Sequence, residues 1–216
     1  MTEGKKFFLA SGILEIGLML ILFYPAWRDF WSPIGEIPGT TQVLRGARKP
    51  LVMKGGDPYI RALMRTISAS ESNYPQPYGV LYGGEQAEDL SSHPDKCVTI
   101  VTGPNRVNCT TAAGRYQFLT TTWIEKARIY HPRPWRFLLW ESYSFEPQYQ
   151  DAVMHEWLSD YYAWGADIPQ LLRQGEWDYV FRLLSGTWTS LGYGIESNSM
   201  TPYLPQIYQQ VLAEEL

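Results

Sequence analysis

Glu71 closes an apolar stripe. Ile60, Leu63, Met64 and Ile67 recur at the three- and four-residue spacing of one helix face, with Arg61, Arg65 and Ser68 on another, and four residues beyond Ile67 stands the carboxylate. Asp57-Pro58 offers a helix cap followed by proline in the first turn, and Tyr74-Pro75-Gln76-Pro77 stops the run, so the spacing predicts a helix from about 58 to 71. A carboxyl at that end meets two influences, burial on the apolar side and the partially negative helix terminus, and both disfavour its anion. Such a group keeps its proton near neutral pH. It suits general acid chemistry, for example protonating the leaving oxygen of a glycosidic bond as an oxocarbenium-like centre develops. The plain alternative is a solvated glutamate ending a helix. Ordinary glycoside hydrolysis asks for a second carboxylate, for which Glu85, Glu88 and Asp89 are candidates; Asp89 reads better as a turn before Ser91-Ser92, and His93, followed by Pro94, as structural.

The elements that must position Glu71 follow from the rest of the pattern. From Tyr78 to Asn108 glycines, short β-branched runs and turn residues replace helical periodicity, which predicts a small antiparallel lobe. Helical stripes then return over Thr120 to Tyr130 (Trp123, Ala127) and Pro147 to Tyr162 (Val153, Trp157, Leu158, Tyr161). Two more follow, on Trp177, Val180, Phe181 and Leu184, and on Leu204, Ile207, Tyr208 and Val211. The architecture expected is α+β, with helices around a cleft and the β lobe as one wall. The run from His131 to Tyr143, with Pro132, Pro134, Trp135, Phe137, Leu138, Leu139 and Trp140, is unusually apolar for a loop. It reads as packed onto the helices or, alternatively, as a patch facing a membrane or a partner.

Composition narrows the function classes. A formal charge of −4 and a pI near 5.4 lack the concentrated basic face that nucleic acid demands. Nine Trp and fifteen Tyr exceed what a core alone usually needs, and flat aromatic surface suits sugars. Cys97 and Cys109 flank a β-rich stretch broken by Gly103-Pro104-Asn105, a spacing that predicts a disulfide across a hairpin in an oxidising compartment; two small apolar residues that never meet are the alternative. No His or Cys joins them at zinc-site spacing, so neither metal nor cofactor is expected.

Residues 7 to 27 are almost entirely apolar and as a helix would span about 31 Å, matching a bilayer core of roughly 30 Å. Tyr24-Pro25-Ala26-Trp27 is a poor cleavage site, which favours an uncleaved anchor over a signal peptide. Lys5 and Lys6 place the N-terminus in the cytoplasm and the rest outside. Glu15, mid-span near Gly12 and Gly17, is either a neutral residue in a marginal anchor or a contact to a membrane partner. The organisation expected is therefore 1–27 tip and anchor, 28–56 a Pro- and Gly-interrupted linker, and 57–216 one catalytic domain.

Several short motifs occur in a fixed order: Ser70-Glu71-Ser72, Gly83-Gly84, Asp89-Leu90-Ser91-Ser92-His93-Pro94, Ala113-Gly114-Arg115-Tyr116-Gln117, Phe145-Glu146-Pro147-Gln148-Tyr149-Gln150-Asp151-Ala152-Val153 and Trp188-Thr189-Ser190-Leu191. Together, over about residues 59 to 212, they resemble the lambda-type phage lysozyme family. That resemblance implies a lysozyme-like α+β fold and a lytic transglycosylase that cuts the β-1,4 bond between N-acetylmuramic acid and N-acetylglucosamine in peptidoglycan. It puts the catalytic glutamate at Glu71, which protonates the leaving oxygen and then helps the muramoyl 6-hydroxyl close a 1,6-anhydro ring. It places Tyr116 and Gln117 along the cleft, where a phenol and an amide can hold acetamido groups. With Ser72 and Arg115 from the same motifs, and Tyr78, Tyr82 and Tyr193 in glycine-rich surroundings, they form the expected substrate-binding set. The loop Gly192-Tyr193-Gly194-Ile195-Glu196 is shorter than the family's usual version. A hydrolytic muramidase and a non-catalytic glycan-binding subunit are the competing readings.

Overall fold

The computed structural model describes residues 49–216 apart from 102, 104, 139 and 194–197. The predicted anchor, Glu15 and most of the linker lie outside the described residues. Among the described residues no helix is long and apolar enough to cross a membrane.

Helix α1 (Pro58–Glu71) is the axle of the domain. Its start follows the expected chemistry: the Asp57 side chain accepts from the amides of Tyr59 (2.9 Å) and Ile60 (3.2 Å), and Pro58 occupies the first turn. Ile60, Leu63, Met64 and Ile67 are fully buried, each contributing roughly 1.5–3 kcal/mol. The second face, carrying Arg61 and Arg65, is covered as well. Helix α7 (Leu204–Glu215) lies along it, and its Glu215 pairs with Arg61 (2.6 Å) and with Arg65 (2.9 Å), while Glu214 also pairs with Arg65.

Around α1 stand α2 (Thr120–Tyr130), α3 (Pro147–Ser159), α4 (Tyr161–Trp164), α5 (Ile168–Arg173) and α6 (Trp177–Leu184). The single helix expected over 147–162 is two. Asp160 leaves helical backbone, caps α4 through the Tyr162 amide (2.8 Å) and accepts from the Tyr130 hydroxyl (2.6 Å), so Tyr161 is turned out to 56% exposure instead of continuing the stripe. Trp123, Trp157 and Trp188 are core residues, with Trp157 stacked on Trp164 at 5.1 Å. Much of the aromatic excess is thus internal packing rather than sugar-facing surface.

The β structure is slight. β1 (Val98–Thr99) and β2 (Cys109–Thr110) pair antiparallel with Thr99 opposite Cys109, and the Cys97–Cys109 disulfide closes the hairpin as its spacing predicts. Isolated bridges join Val80 to Gln86, Leu81 to Ala113 and Ala113 to Phe118. The apolar run 131–143 forms a second ribbon, β3 (Trp135–Phe137) against β4 (Trp140–Ser142). His131 and Tyr143 are buried at the base of the ribbon, as packing onto the helices requires, while Trp135 and Leu138 are exposed near its tip.

Candidate active site

Glu71 is the last residue of α1 and is half-buried. Ser72 caps the helix, its backbone N–H donating to the Ser68 carbonyl, and leaves helical conformation. A 3-10 helix over Thr189–Leu191 packs against this end, and from it the Ser190 hydroxyl contacts both Glu71 Oε1 and Ser70 Oγ, the latter at 3.0 Å. Ser70 Oγ donates to the Ile67 carbonyl (3.0 Å). The following loop is fastened to the same corner, since Asn198 Nδ2 donates to the Ser70 carbonyl (3.1 Å) and Thr201 Oγ1 to the Ser190 carbonyl (2.9 Å).

Behind Glu71 lies a buried polar block. Asp151 on α3 accepts four hydrogen bonds: from the amides of Val52 (2.7 Å) and Met53 (3.1 Å), and from the hydroxyls of Tyr78 (2.8 Å) and Tyr116 (2.6 Å). Arg115 donates to the Tyr78 hydroxyl (2.9 Å) and to the carbonyls of Pro50 (3.0 Å) and Lys49 (2.6 Å). Residues 49–53, within the stretch read as linker, are thereby pinned to the domain. Burial, reinforced by the Asp151 charge, pushes the hydroxyl pKa of Tyr116 well up, and that of Tyr78 in the same direction. Burial works against the Arg115 cation, but Tyr116, Tyr78 and Asp151 beside it outweigh that and hold its pKa above the ordinary value.

The block is joined to Glu71 through the turn at Gly114. Gly114 has φ +75, and a Cβ there would stand 2.4 Å from Gln150 Oε1 and 2.7 Å from Phe145 Cζ. Gln150 accepts from the Arg115 amide (2.9 Å) and donates to the Tyr78 and Phe145 carbonyls (2.9 and 2.7 Å). Ser72 Oγ donates to the Arg115 carbonyl (2.6 Å), and Trp188 Nε1 to the Tyr116 carbonyl (3.0 Å). Four motifs scattered along the sequence therefore meet at one place.

The fold divides the expected substrate-binding residues. Ser72, Tyr78, Arg115 and Tyr116 are buried and make their side-chain hydrogen bonds inside the domain, so none of them lies on the exposed surface. Gln117, at φ +49, is half-buried and donates to the carbonyls of Val80 (3.1 Å) and Gly114 (3.0 Å). Tyr82 is half-buried, and its amide donates to the Ala112 carbonyl (3.0 Å). Tyr193 is 40% exposed; its hydroxyl donates to Asp178, which with burial raises its pKa, and the Arg182 guanidinium lies 4.6 Å over its ring.

The carboxylates considered as second groups sit in the β lobe. Glu85 is exposed and paired with Lys96 (2.5 Å), and Asp89 accepts from the Ser91 amide (2.8 Å), which lowers its pKa. Both line a shallow pocket of ≈ 380 Å³ with Glu88, and Glu71 is not part of that lining. His93 is buried, with Nε2 donating to the Phe118 carbonyl (2.8 Å). Among the described residues no group of three or more His, Cys, Asp or Glu side chains could hold a metal ion.

Ser190 and Asp151 are the site residues that sequence reasoning passed over. A signal existed for the block: Gln150 stands one turn before Val153 and Met154, on the face that continues to Trp157, and a polar residue on such a stripe needs buried partners. Ser190 carries no comparable local sign.

Residues 61–214 match the family model described as Endolysin. Among solved structures the chain is similar to lysozyme from bacteriophage lambda, at 24% identity and a TM-score of 0.51 over 76% of this chain and 97% of that one. It is likewise similar to bacteriophage lambda lysozyme complexed with a chitohexasaccharide, at 23% identity and a TM-score of 0.51 over 74% and 97%. None of the curated proteins matches the chain. At these identities the likeness to solved structures is one of fold.

Proposed function

The chain belongs to the endolysin family of peptidoglycan-degrading enzymes, and on that premise we propose that it is a membrane-tethered lytic transglycosylase acting on the β-1,4 bond between N-acetylmuramic acid and N-acetylglucosamine. The observation that carries the reading is the placement of Glu71: a half-buried carboxyl at a helix end, in contact with a hydroxyl, while Glu85 and Asp89 are engaged in the β lobe. An internal nucleophile removes the need for a second carboxylate. Glu71 gives its proton to the leaving oxygen as the C1–O bond breaks. The resulting carboxylate then takes the proton of the muramoyl 6-hydroxyl as O6 bonds to C1, which returns Glu71 to its acid form without consuming water.

Gln117, Tyr82 and Tyr193 are the expected residues with surface to offer a glycan, while Ser72, Tyr78, Arg115 and Tyr116 are buried. The chitohexasaccharide held by the lambda lysozyme supports a cleft for β-linked N-acetyl sugars here. The apolar residues 7–27 support a single span with the domain on the outer side of the cytoplasmic membrane. Digestion of purified peptidoglycan followed by mass spectrometry tests the chemistry: anhydro ends are lighter by one water than hydrolysed ends. Hydrolysed ends would identify a muramidase instead, and no cleavage by the wild-type chain would identify a binding subunit.

A further inference from the structure

Ser190 has more hydrogen-bond partners than protons. Its hydroxyl carries one hydrogen and contacts both Glu71 Oε1 and Ser70 Oγ, while the Ser70 hydrogen is directed to the Ile67 carbonyl (3.0 Å). Two arrangements satisfy these contacts. When Glu71 is protonated, it donates to Ser190, Ser190 donates to Ser70, and Ser70 donates to the backbone. When Glu71 is ionised, the Ser190 hydroxyl turns and donates to the carboxylate, and Ser70 keeps its own bond. We propose that Ser190, backed by Ser70, is a positioning residue that follows the Glu71 proton through the catalytic cycle by rotation of one hydroxyl.

The proposal rests on Glu71 being the acid and base of the reaction. Ser190 keeps its own proton throughout; the transferred protons travel between Glu71, the leaving oxygen and the 6-hydroxyl. Ser190 is buried at 6% exposure, and its backbone is tied down by Thr201, so the switch is shielded from competing water. The charged groups on elements packed against α1 have partners of their own. Glu214 and Glu215 pair with Arg61 and Arg65, Arg173 with Asp57, and His155 with Glu156, while Asp151 and Arg115 belong to the buried block.

The two serines must act with opposite signs. Removing Ser190 takes a charge-assisted bond from the carboxylate and only a weaker one from the acid, so the Glu71 titration midpoint rises. Removing Ser70 takes away the acceptor that Ser190 uses only when Glu71 is protonated, so the midpoint falls. The test is a titration of the full-length chain carrying 13C-carboxyl glutamate, with the Glu71 signal assigned by its loss in Glu71→Gln. The midpoint is expected to shift up by about half to one pH unit in Ser190→Ala, to shift down by a smaller amount in Ser70→Ala, and to stay near wild type in Ser190→Thr. In parallel, kcat falls about tenfold in Ser190→Ala with KM little changed, and Ser190→Thr restores it. Shifts of the same sign in the two alanine variants, or an unmoved midpoint in Ser190→Ala, would overturn the relay. If the opposed shifts appear while Glu71→Gln still cleaves peptidoglycan, the hydroxyl switch at Glu71 stands as a local linkage, but Glu71 is not the acid of the reaction and the part of Ser190 in the cycle falls with it.

Discussion

The corner at Glu71 and the block at Asp151 are built from the same kinds of groups, carboxylate, hydroxyl and backbone carbonyl, yet they differ in how those groups are satisfied. At Asp151 four donors converge on one carboxylate and the neighbouring guanidinium donates through its terminal nitrogens to two carbonyls and a phenol, leaving one arrangement. At Glu71 the carboxyl is half open and its serine partner is shared, leaving two. A buried network with a single arrangement specifies a fold; one with an alternative proton arrangement can take part in a reaction.

Substitutions should separate the two regions. Glu71→Gln is expected to lower peptidoglycan cleavage by about two to four orders of magnitude while the thermal midpoint stays at the wild-type value. Cleavage near the wild-type rate would erase the distinction. Asp151→Ala takes the acceptor from two buried hydroxyls and from the Met53 amide beside a buried cation, and urea denaturation should show a loss of about 3–5 kcal/mol. Gly114→Ala, which forces Gln150 and Phe145 aside at a positive φ, should cost about 1–3 kcal/mol by the same measurement, with lysis per folded molecule reduced because the turn links the two regions. A wild-type urea midpoint for Gly114→Ala would show that the turn transmits nothing.

The smallest effect is one of pH. Burial lowers the His93 pKa below its ordinary value, against the opposing pull of the Phe118 carbonyl and Asp95. In the window below about pH 6.5 and above its folded-state value the unfolded chain therefore binds more protons, and stability falls with acidity by at most about 1.4 kcal/mol per pH unit for this group. His93→Gln should flatten that slope in denaturation curves taken across the window; an unchanged slope would assign it to other groups.

What the sequence revealed of this arrangement was the part carried by local patterns. Asp57-Pro58, the stripe to Ile67 and the position of Glu71 follow from helix period and capping, and the hairpin disulfide from cysteine spacing. The break at Asp160 was missed because a capping side chain overrode an apolar period that continues through it. The 135–142 ribbon was missed because its proline-flanked run has neither clean alternation nor a turn dipeptide. The inward turn of Tyr78, Arg115 and Tyr116 depends on Asp151, 35 to 73 residues away, which no window along the chain connects to them. Ser190 reaches Glu71 across 119 residues for the same reason.

The clamp between α1 and α7 sets an order of events. Arg65 is buried against partners 149 and 150 residues later, so during synthesis the helix that bears Glu71 stays without its counter-charges until residues 214 and 215 have emerged. Hydrogen exchange on chains halted before residue 204 should find α1 unprotected. In a chain assembled in that order the corner at Glu71 and the clamp that steadies its helix are completed together, by the last residues to be made.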